Sequence, residues 1–375
     1  MSSIKKIRIS ILSFLLFLVS CTPKNDMTPK TVENSTYAVS LSKTMYPESK
    51  VVFLSDNGDV IGSKKYNGNS IYTINKWDED IYLHSSRKNE HFKLSKNGVF
   101  QEFKLSLNNV QHPGYGVWVV EKGKQSLIES VNGGFNDDAE YQSGIVYTKN
   151  SDRVSISLKN QTISGVTEKD NKIFVSTVDQ KLETSKLVIV NRNSDTIDKE
   201  LALKKTYYVR SGVMHFIHDK LVSYGDNKGF FNYSNKNNSG VIAISLIDYS
   251  YRTFDLPDEE LIEFMYTYDS KIFVVTNSGK LYVLSEDMHL IEDKKIEQQH
   301  ILKIIKYDES FFIKKVINDG DLIHVVKRNL DFGNPDNIGD IYVVRKKDLS
   351  LIKEVNLNIK NNNVWYDAFD ITLIK

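Results

Sequence analysis

The sequence predicts an all-β protein, a β-propeller of about seven four-stranded blades whose N- and C-terminal strands share one blade. Three observations lead to this prediction. From Tyr37 onward, short apolar runs rich in Ile, Val, Phe and Tyr alternate with clusters of Asn, Asp, Gly and Lys, a pattern typical of strands joined by turns. A four-strand unit recurs about every 35–50 residues, whereas long segments with a helical period are absent. The chain also has 20 Tyr, 18 Phe and only 6 Pro, a composition that favours strands.

The N-terminal element is an export signal. Lys5, Lys6 and Arg8 precede a short apolar run, which is typical of a cleaved signal peptide rather than a membrane-spanning helix. The run ends in Leu18-Val19-Ser20-Cys21, which resembles the bacterial lipobox, in which the cysteine is lipidated and becomes the mature N-terminus. We expect a signal peptide over residues 1–20 and acyl chains such as palmitate on Cys21. The alternative is an ordinary secretory signal with a chance cysteine.

The segment after the signal is predicted to tether the domain. Residues 21–36 are expected to form the lipidated N-terminus and a flexible linker, and residues 37–375 the propeller. A diacylglyceryl group supplies the two chains that stable membrane attachment requires. We expect the protein on the extracytoplasmic side of the cell membrane, facing the periplasm or the cell surface if the host is diderm. The balance of 49 basic and 48 acidic residues gives no reason to expect nucleic acid or a polybasic membrane patch.

The repeats give the order of strands within a blade. The cleanest unit has the tight turns Asp269-Ser270 and Asn277-Ser278-Gly279, which predict an antiparallel meander. A ring of such units buries both faces of every sheet and leaves only short edges. The strands of this unit and of two further copies are predicted at Ile262–Tyr268, Lys271–Thr276, Lys280–Ser285 and 290–296; at 162–168, 171–177, 186–191 and 196–201; and at 211–217, 220–224, 240–246 and 251–256.

The remaining segments complete the ring. Further blades are predicted at 70–105, 116–158 and roughly 300–357, and the closing blade combines two strands within 51–66 with a C-terminal strand within 364–374. The region 300–357 has one strand too many, which leaves eight blades or an inserted hairpin open. Residues 257–261 are the only helix-like stretch, of at most one turn.

Two short motifs resemble those of the YVTN-type bacterial propeller proteins. Lys-Ile-Phe-Val occurs at 172–175 and 271–274, and Gly-Lys-Leu-Tyr-Val-Leu occurs at 279–284. The resemblance covers residues 160–357. It implies a secreted or surface-attached protein that binds partners across one propeller face, and it supplies no catalytic residue.

Long irregular segments are the predicted binding sites. Residues 132–142, 225–239 and 329–339 set aromatic residues among Gly, Asn and Asp, and rings on adaptable loops suit a protein or glycan ligand. The alternative is that the rings turn inward and pin the loops. The predicted binding residues, placed on one face, are Phe135, Asp137, Asp138, Phe230, Phe231, Tyr233 and Phe332.

Catalytic and metal-binding signals are sparse. The sequence contains no Gly-x-Ser-x-Gly, His-Glu-x-x-His or Walker A motif, and we expect no cofactor beyond the lipid on Cys21, with weak calcium binding by Asp137, Asp138 and Glu140 left open. The leading hypothesis is a binding or scaffold module for an envelope protein or glycan. The alternatives are an extracytoplasmic enzyme that acts on carbohydrate or lactone through carboxylates of the central channel, and an accessory lipoprotein for self-protection.

Overall fold

A computed structural model describes residues 27–107, 114–120, 126–149, 152–179, 184–203, 208–226, 239–306, 311–329, 336–360 and 364–375. It contains seven four-stranded antiparallel sheets, which confirms the predicted propeller. Blades are numbered along the chain, and the first strand of each blade lies nearest the centre, where first strands of neighbouring blades contact one another. Among the described residues, no helix is long and apolar enough to cross a membrane.

The strands and helices have the following bounds. Blades 1 to 3 consist of β1 (Tyr37–Ser42), β2 (Ser49–Leu54) and β3 (Val60–Tyr66), with β28 (Ala368–Leu373); β4 (Ile71–Trp77), β5 (Asp80–Ser85), β6 (His91–Leu94) and β7 (Phe100–Phe103); and β8 (Gly114–Val120), β9 (Ser126–Phe135), β10 (Tyr141–Lys149) and β11 (Asp152–Lys159). Blades 4 and 5 consist of β12 (Gln161–Lys169), β13 (Lys172–Asp179), β14 (Ser185–Asn191) and β15 (Thr196–Ala202); and β16 (Tyr208–Ile217), β17 (Lys220–Asp226), β18 (Ser239–Ser245) and β19 (Tyr251–Asp255). Blades 6 and 7 consist of β20 (Ile262–Tyr268), β21 (Lys271–Thr276), β22 (Lys280–Ser285) and β23 (Leu290–Lys295); and β24 (Phe311–Asp319), β25 (Leu322–Asn329), β26 (Asn337–Arg345) and β27 (Leu351–Asn358). The helices are α1 (Pro29–Glu33) and α2 (Gln299–Ile305).

The ring closes in blade 1, as predicted, but the N-terminal part of the chain contributes three strands instead of two. The C-terminal β28 is the first strand of this blade, and it pairs antiparallel with β1 from Tyr37↔Leu373 to Ser42↔Ala368. The N-terminal part therefore contributes three strands, because residues 37–42 form a strand that the sequence analysis did not count. Pairing the two ends of the chain closes the ring and places the N-terminal strand β1 inside its sheet, between β28 and β2.

The extra apolar run before blade 7 is a helix rather than a strand. Three isoleucines of α2 (Ile301, Ile304 and Ile305) are buried in the core between blades 6 and 7, so blade 7 keeps four strands and the ring has seven blades. The eight-blade and inserted-hairpin alternatives were wrong. The stretch 257–261, predicted as helix-like, contains a turn and no helix, since Glu259 adopts a positive φ of 74°.

The two faces of the ring differ in their connections. The hairpins between first and second strands and between third and fourth strands emerge on one side, which we call the lower face. The connections between second and third strands and those between blades emerge on the other side, which we call the upper face. The register of each meander requires this alternation, because consecutive antiparallel strands turn at opposite ends.

The chain enters the propeller on the lower face. Part of the predicted linker is packed there: Val32 of α1 is buried in the core between blades 1 and 2, and the carbonyl oxygen of Met27 lies near Gly98 in a lower hairpin of blade 2. Residues 27–36 therefore fix where the N-terminal segment leaves the domain.

Apolar side chains between blades form the core. Buried clusters join blades 1 and 7, 6 and 7, 5 and 6, 1 and 2, 3 and 4, and 4 and 5. Between blades 2 and 3 the described apolar clusters are much smaller. Buried polar side chains fill part of that interface.

Candidate functional site

The loops predicted to bind a partner connect second strands to third strands, in blades 3, 5 and 7, and so open on the upper face. In blade 3 the loop is shorter than predicted, since residues 132–135 and 141–142 belong to β9 and β10. Phe135 is 58% exposed, and its ring packs edge-on against Tyr141 at 5.2 Å between centroids. Phe230, Phe231, Tyr233 and Phe332 lie outside the described residues.

The acidic part of the blade 3 loop is a turn with exposed carboxylates. The Asn136 side chain oxygen accepts hydrogen bonds from the backbone N–H groups of Asp138 (3.1 Å) and Glu140 (2.8 Å), and both Asp137 and Asp138 are exposed. No group of three His, Cys, Asp or Glu residues in the described part of the chain is arranged to hold a metal ion.

A recurring β-bulge marks the upper end of the first strands. In blades 2, 4, 6 and 7 one residue of the first strand has no pairing partner in the second strand: Tyr72, Ser164, Glu263 and Lys314. A bulge bends the strand and redirects the extra side chain, and bulges are common beside functional sites. In this propeller they surround the upper mouth of the central channel.

The bulge residues of blades 2 and 7 take part in one cluster, which we call the channel-mouth site: Thr44, Met45, Tyr46, Tyr72, Lys314, Arg328 and Asp367. The Thr44 hydroxyl lies 3.0 Å from the Tyr72 hydroxyl, and the Thr44 N–H donates to the Asp367 carboxylate at 2.7 Å. Arg328 Nη2 donates to the Asp367 carbonyl oxygen at 2.6 Å. These contacts join the upper ends of blades 7, 1 and 2.

Two large side chains of the channel-mouth site are exposed. Met45 and Tyr46, in the loop between β1 and β2, are 69% and 66% exposed. Arg87 of the neighbouring blade 2 loop contacts the Met45 sulfur at 3.4 Å. Exposed Met and Tyr side chains next to a fixed polar cluster are typical of a surface that binds a protein.

Inside the mouth, one carboxylate connects three blades. Asp370 of β28 is 4% exposed; its Oδ2 accepts a hydrogen bond from the Ile74 N–H at 3.0 Å and lies 3.2 Å from Lys315 Nζ. The adjacent residues Lys314 and Lys315 of β24 therefore have two different environments. Lys315 is paired with Asp370, whereas Lys314 has no hydrogen bond or ion pair to another described residue.

The cations of the mouth are partly removed from water. Lys314 and Arg328 are both half-buried. Burial lowers the pKa of Lys314. The negative charge of Asp370 raises this pKa, and the positive charges of Lys315 and Arg328 lower it further. Burial also lowers the pKa of Arg328. The two side chains are thus close enough to repel each other, and their positive charges are incompletely compensated.

A second polar cluster lies between blades 2 and 3. His84 Nε2 donates to Glu129 Oε1 at 2.9 Å, Arg153 pairs with the other carboxylate oxygen, and both His84 and Glu129 are buried. The His91 ring lies 4.9 Å from that of His84, and burial lowers the pKa of His91 to about 2. Enclosed between two sheets, this cluster contributes to packing of the ring.

The lower face carries a hydroxyl–imidazole–carboxylate arrangement. The Ser270 hydroxyl is 3.3 Å from His218 Nε2, and His218 Nδ1 is 2.7 Å from Glu286 Oε2. The order of groups is that of a hydrolytic triad. The His218 side chain is 62% exposed, and the nearby depression lined by Tyr251, Arg252, Thr253, Asp287, Met288 and His289 is open to solvent. This open setting offers a substrate little enclosure.

The channel-mouth site has no counterpart among the binding residues predicted from the sequence. Its residues come from positions 44–46, 72, 314, 328 and 367, and only the closed ring brings them together. The mouth depends on bulges, which are a property of strand register.

Comparisons with known proteins support the fold and leave the function open. No family model and no curated protein matches the sequence. Among solved structures, cobalt-substituted ACO from Synechocystis is similar over 92% of this chain and 93% of its own, with 7% identity and a TM-score of 0.53. Inactive virginiamycin B lyase from Staphylococcus aureus, bound to quinupristin, is similar over 90% and 96%, with 11% identity and a TM-score of 0.51. The dihydro-heme d1 dehydrogenase NirN in complex with DHE is similar over 91% and 76%, with 9% identity and a TM-score of 0.50.

Proposed function

We propose that this protein is a lipid-anchored, extracytoplasmic binding module, of the YVTN-type kind that its repeats resemble, and that its upper face binds a protein of the cell envelope. The observation that carries the proposal is the channel-mouth site, in which Met45 and Tyr46 are exposed next to a fixed polar cluster. Propellers with a similar fold include a dehydrogenase and a lyase, so the choice between binding and catalysis rests on the site rather than on the fold.

The position of the N-terminal segment on the lower face supports an orientation in which the upper face points away from the membrane. Lipidation of Cys21 would leave six peptide steps to Met27, which reach at most about 20 Å. Since residues 27–36 pack on the lower face, a tether of this length holds the lower face toward the membrane. The upper face, with the channel mouth and the longer loops, then points away from the membrane toward soluble or envelope-bound partners.

Exposed apolar side chains favour a protein over a glycan. Met45 and Tyr46 are each about two-thirds exposed, and their burial would release apolar surface from water. Phe135 adds a third exposed apolar side chain on the same face. A glycan partner, which is recognised through polar groups and flat ring stacking, remains an outcome of the test.

The test is chemical crosslinking of tagged full-length protein in its host, followed by purification and mass spectrometry. We expect one near-stoichiometric protein partner, which is lost when Met45 and Tyr46 are both changed to Ser. The matched control changes Leu290 and Ile291 to Ser, since these residues are 48% and 52% exposed on the outer strand of blade 6.

Three results would overturn the proposal. They are equal capture by the Met45/Tyr46 variant and the unchanged protein, loss of capture in the control variant, and absence of any captured protein. Retention of the unchanged protein on purified envelope glycan, without a captured protein, would replace the protein partner with a glycan.

A further inference from the structure

The channel mouth has an unbalanced charge. Lys314 and Arg328 are half-buried at the upper end of blade 7, and the nearest carboxylates are already engaged. Asp370 accepts the Ile74 N–H and pairs with Lys315, and Asp367 accepts the Thr44 N–H. Within the described residues, Lys314 has no hydrogen bond or ion pair, and Arg328 makes a single hydrogen bond, through Nη2 to a main-chain oxygen.

This arrangement costs free energy unless an anion is bound. Partial burial removes water from both cations, and their mutual repulsion adds to the cost. A half-buried lysine without a counter-ion gains most from a ligand that brings a negative charge. The charge-assisted hydrogen bonds that an anion would accept from ammonium and guanidinium groups are about twice as strong as neutral ones.

The surrounding groups suit the oxygens of such an anion. Lys314 is the extra residue of a bulge between Ile313↔Lys327 and Lys315↔Val326 at the upper end of the blade, where the charge of Arg328 is close enough to lower its pKa. Across the mouth, the Tyr72 hydroxyl meets the Thr44 hydroxyl at 3.0 Å. A cationic fork, an ammonium group and hydroxyl donors together form a set that recognises the oxygens of carboxylate and phosphate groups.

We propose that the channel-mouth site binds an oxyanion, a carboxylate or phosphate group carried by the partner, between Lys314, Arg328 and the Tyr72 hydroxyl. The inference rests on the proposed function, because it names the group by which the upper face recognises its ligand. Met45 and Tyr46 then contact the apolar part of the same ligand. Lys315 and Asp370, paired deeper in the channel, position the first strand of blade 7 and do not contact the anion.

The test uses the purified protein from Cys21 to Lys375, with inorganic phosphate in one series and succinate in another. Chloride is added to keep the ionic strength constant, because a change in ionic strength by itself alters the interactions of exposed charges. Thermal unfolding and calorimetric titration are followed at increasing ligand concentration. We expect a saturable rise in Tm with at least one probe, since a ligand specific for the folded state stabilises it by mass action. The stronger probe indicates whether the natural group is a phosphate or a carboxylate.

Variants separate a built site from general charge effects. K314Q and R328Q are each expected to weaken binding of the stronger probe about tenfold, the equivalent of one charge-assisted hydrogen bond. Y72F, which removes only a hydroxyl, serves if either charge variant fails to fold, and a smaller but measurable loss is expected. The control is K294Q with K295Q, an exposed lysine pair on β23, which should bind as tightly as the unchanged protein.

The results can overturn the inference independently of the proposed function. Absence of a saturable response to both probes, or equal binding by K314Q, R328Q and the control, contradicts it. If the crosslinked partner is still lost in the Met45/Tyr46 variant, the binding module stands and only the oxyanion is wrong. If oxyanion binding persists while no partner is captured, the ligand is a small anion and the protein-binding proposal is wrong.

Discussion

At the scale of single residues, burial decides how strongly a charged side chain affects stability and binding. Glu129 is 1% exposed and contacts both the buried His84 and the exposed Arg153, so each of its carboxylate oxygens has a partner although the group is removed from water. By contrast, the Lys96–Glu79 pair lies in open solvent, where an ion pair contributes little to stability. Lys314 is intermediate: it is partly desolvated, and the charge of Asp370 compensates it only in part. We interpret this difference as the mark of a binding group.

The His91 ring predicts acid sensitivity of the fold. Burial, together with the nearby His84 and Arg153, lowers the pKa of His91 to about 2 in the folded protein, against about 6.5 in the unfolded chain. The unfolded chain therefore takes up the proton first. The contribution of His91 is fully present above pH 6.5 and is lost as the pH falls, by up to about 1.4 kcal/mol per pH unit.

Urea denaturation at several pH values between neutral and mildly acidic tests this prediction. The change His91→Gln should flatten the decline in the free energy of unfolding toward acid pH. The control His289→Gln alters an exposed histidine and should leave the decline unchanged. An identical pH dependence for His91→Gln and the unchanged protein would contradict the role assigned to burial of this ring.

At the scale of the elements, the blades are held together by a repeated contact. The lysine that opens a second strand reaches the next blade: Lys172 Nζ lies 2.8 Å from the Tyr249 hydroxyl, and Lys220 Nζ lies 2.8 Å from Asp287. Both partners sit in the lower hairpin of the following blade. The recurring lysine of the sequence repeat thus connects neighbouring blades, while the apolar residues after it form the core.

Gly339 gives a prediction about one such element. It lies in β26 with a φ of +145°, and a Cβ atom there would come 2.1 Å from the Lys327 carbonyl oxygen. The change Gly339→Ala should therefore lower the free energy of unfolding by about 2 kcal/mol or more, because both the backbone conformation and the space oppose a side chain.

A matched glycine in the same blade provides the control. Gly320 has a φ of +53°, and a Cβ atom there would meet nothing within 4 Å. Gly320→Ala should cost about 1 kcal/mol, from the left-handed conformation alone. Chemical denaturation of both variants measures the difference, and equal losses would show that the close approach of β25 and β26 at Gly339 is not a constraint.

At the scale of the whole molecule, the sequence predicts the ring better than the site. Strand patterns such as Lys271–Thr276 repeat because every blade buries both faces of its sheet against the neighbouring blades. The number of blades and the closure of the ring can therefore be predicted from local sequence patterns. The extra run before blade 7 was misassigned because a short buried helix and a buried strand have similar composition. Lys314, Arg328 and Tyr72 meet only when blades 7, 1 and 2 are side by side, which no local pattern reports.

We propose that the lower face of this ring lies toward the membrane and that the upper face binds a partner. Site-specific photo-crosslinking in the host tests both halves at once, with the photoreactive residue placed at Tyr46 on the upper face or at Val99, which is 62% exposed in a lower hairpin close to the N-terminal segment. The account predicts a protein adduct from position 46 and lipid adducts from position 99. A protein adduct from position 99 with lipid adducts from position 46 would contradict it.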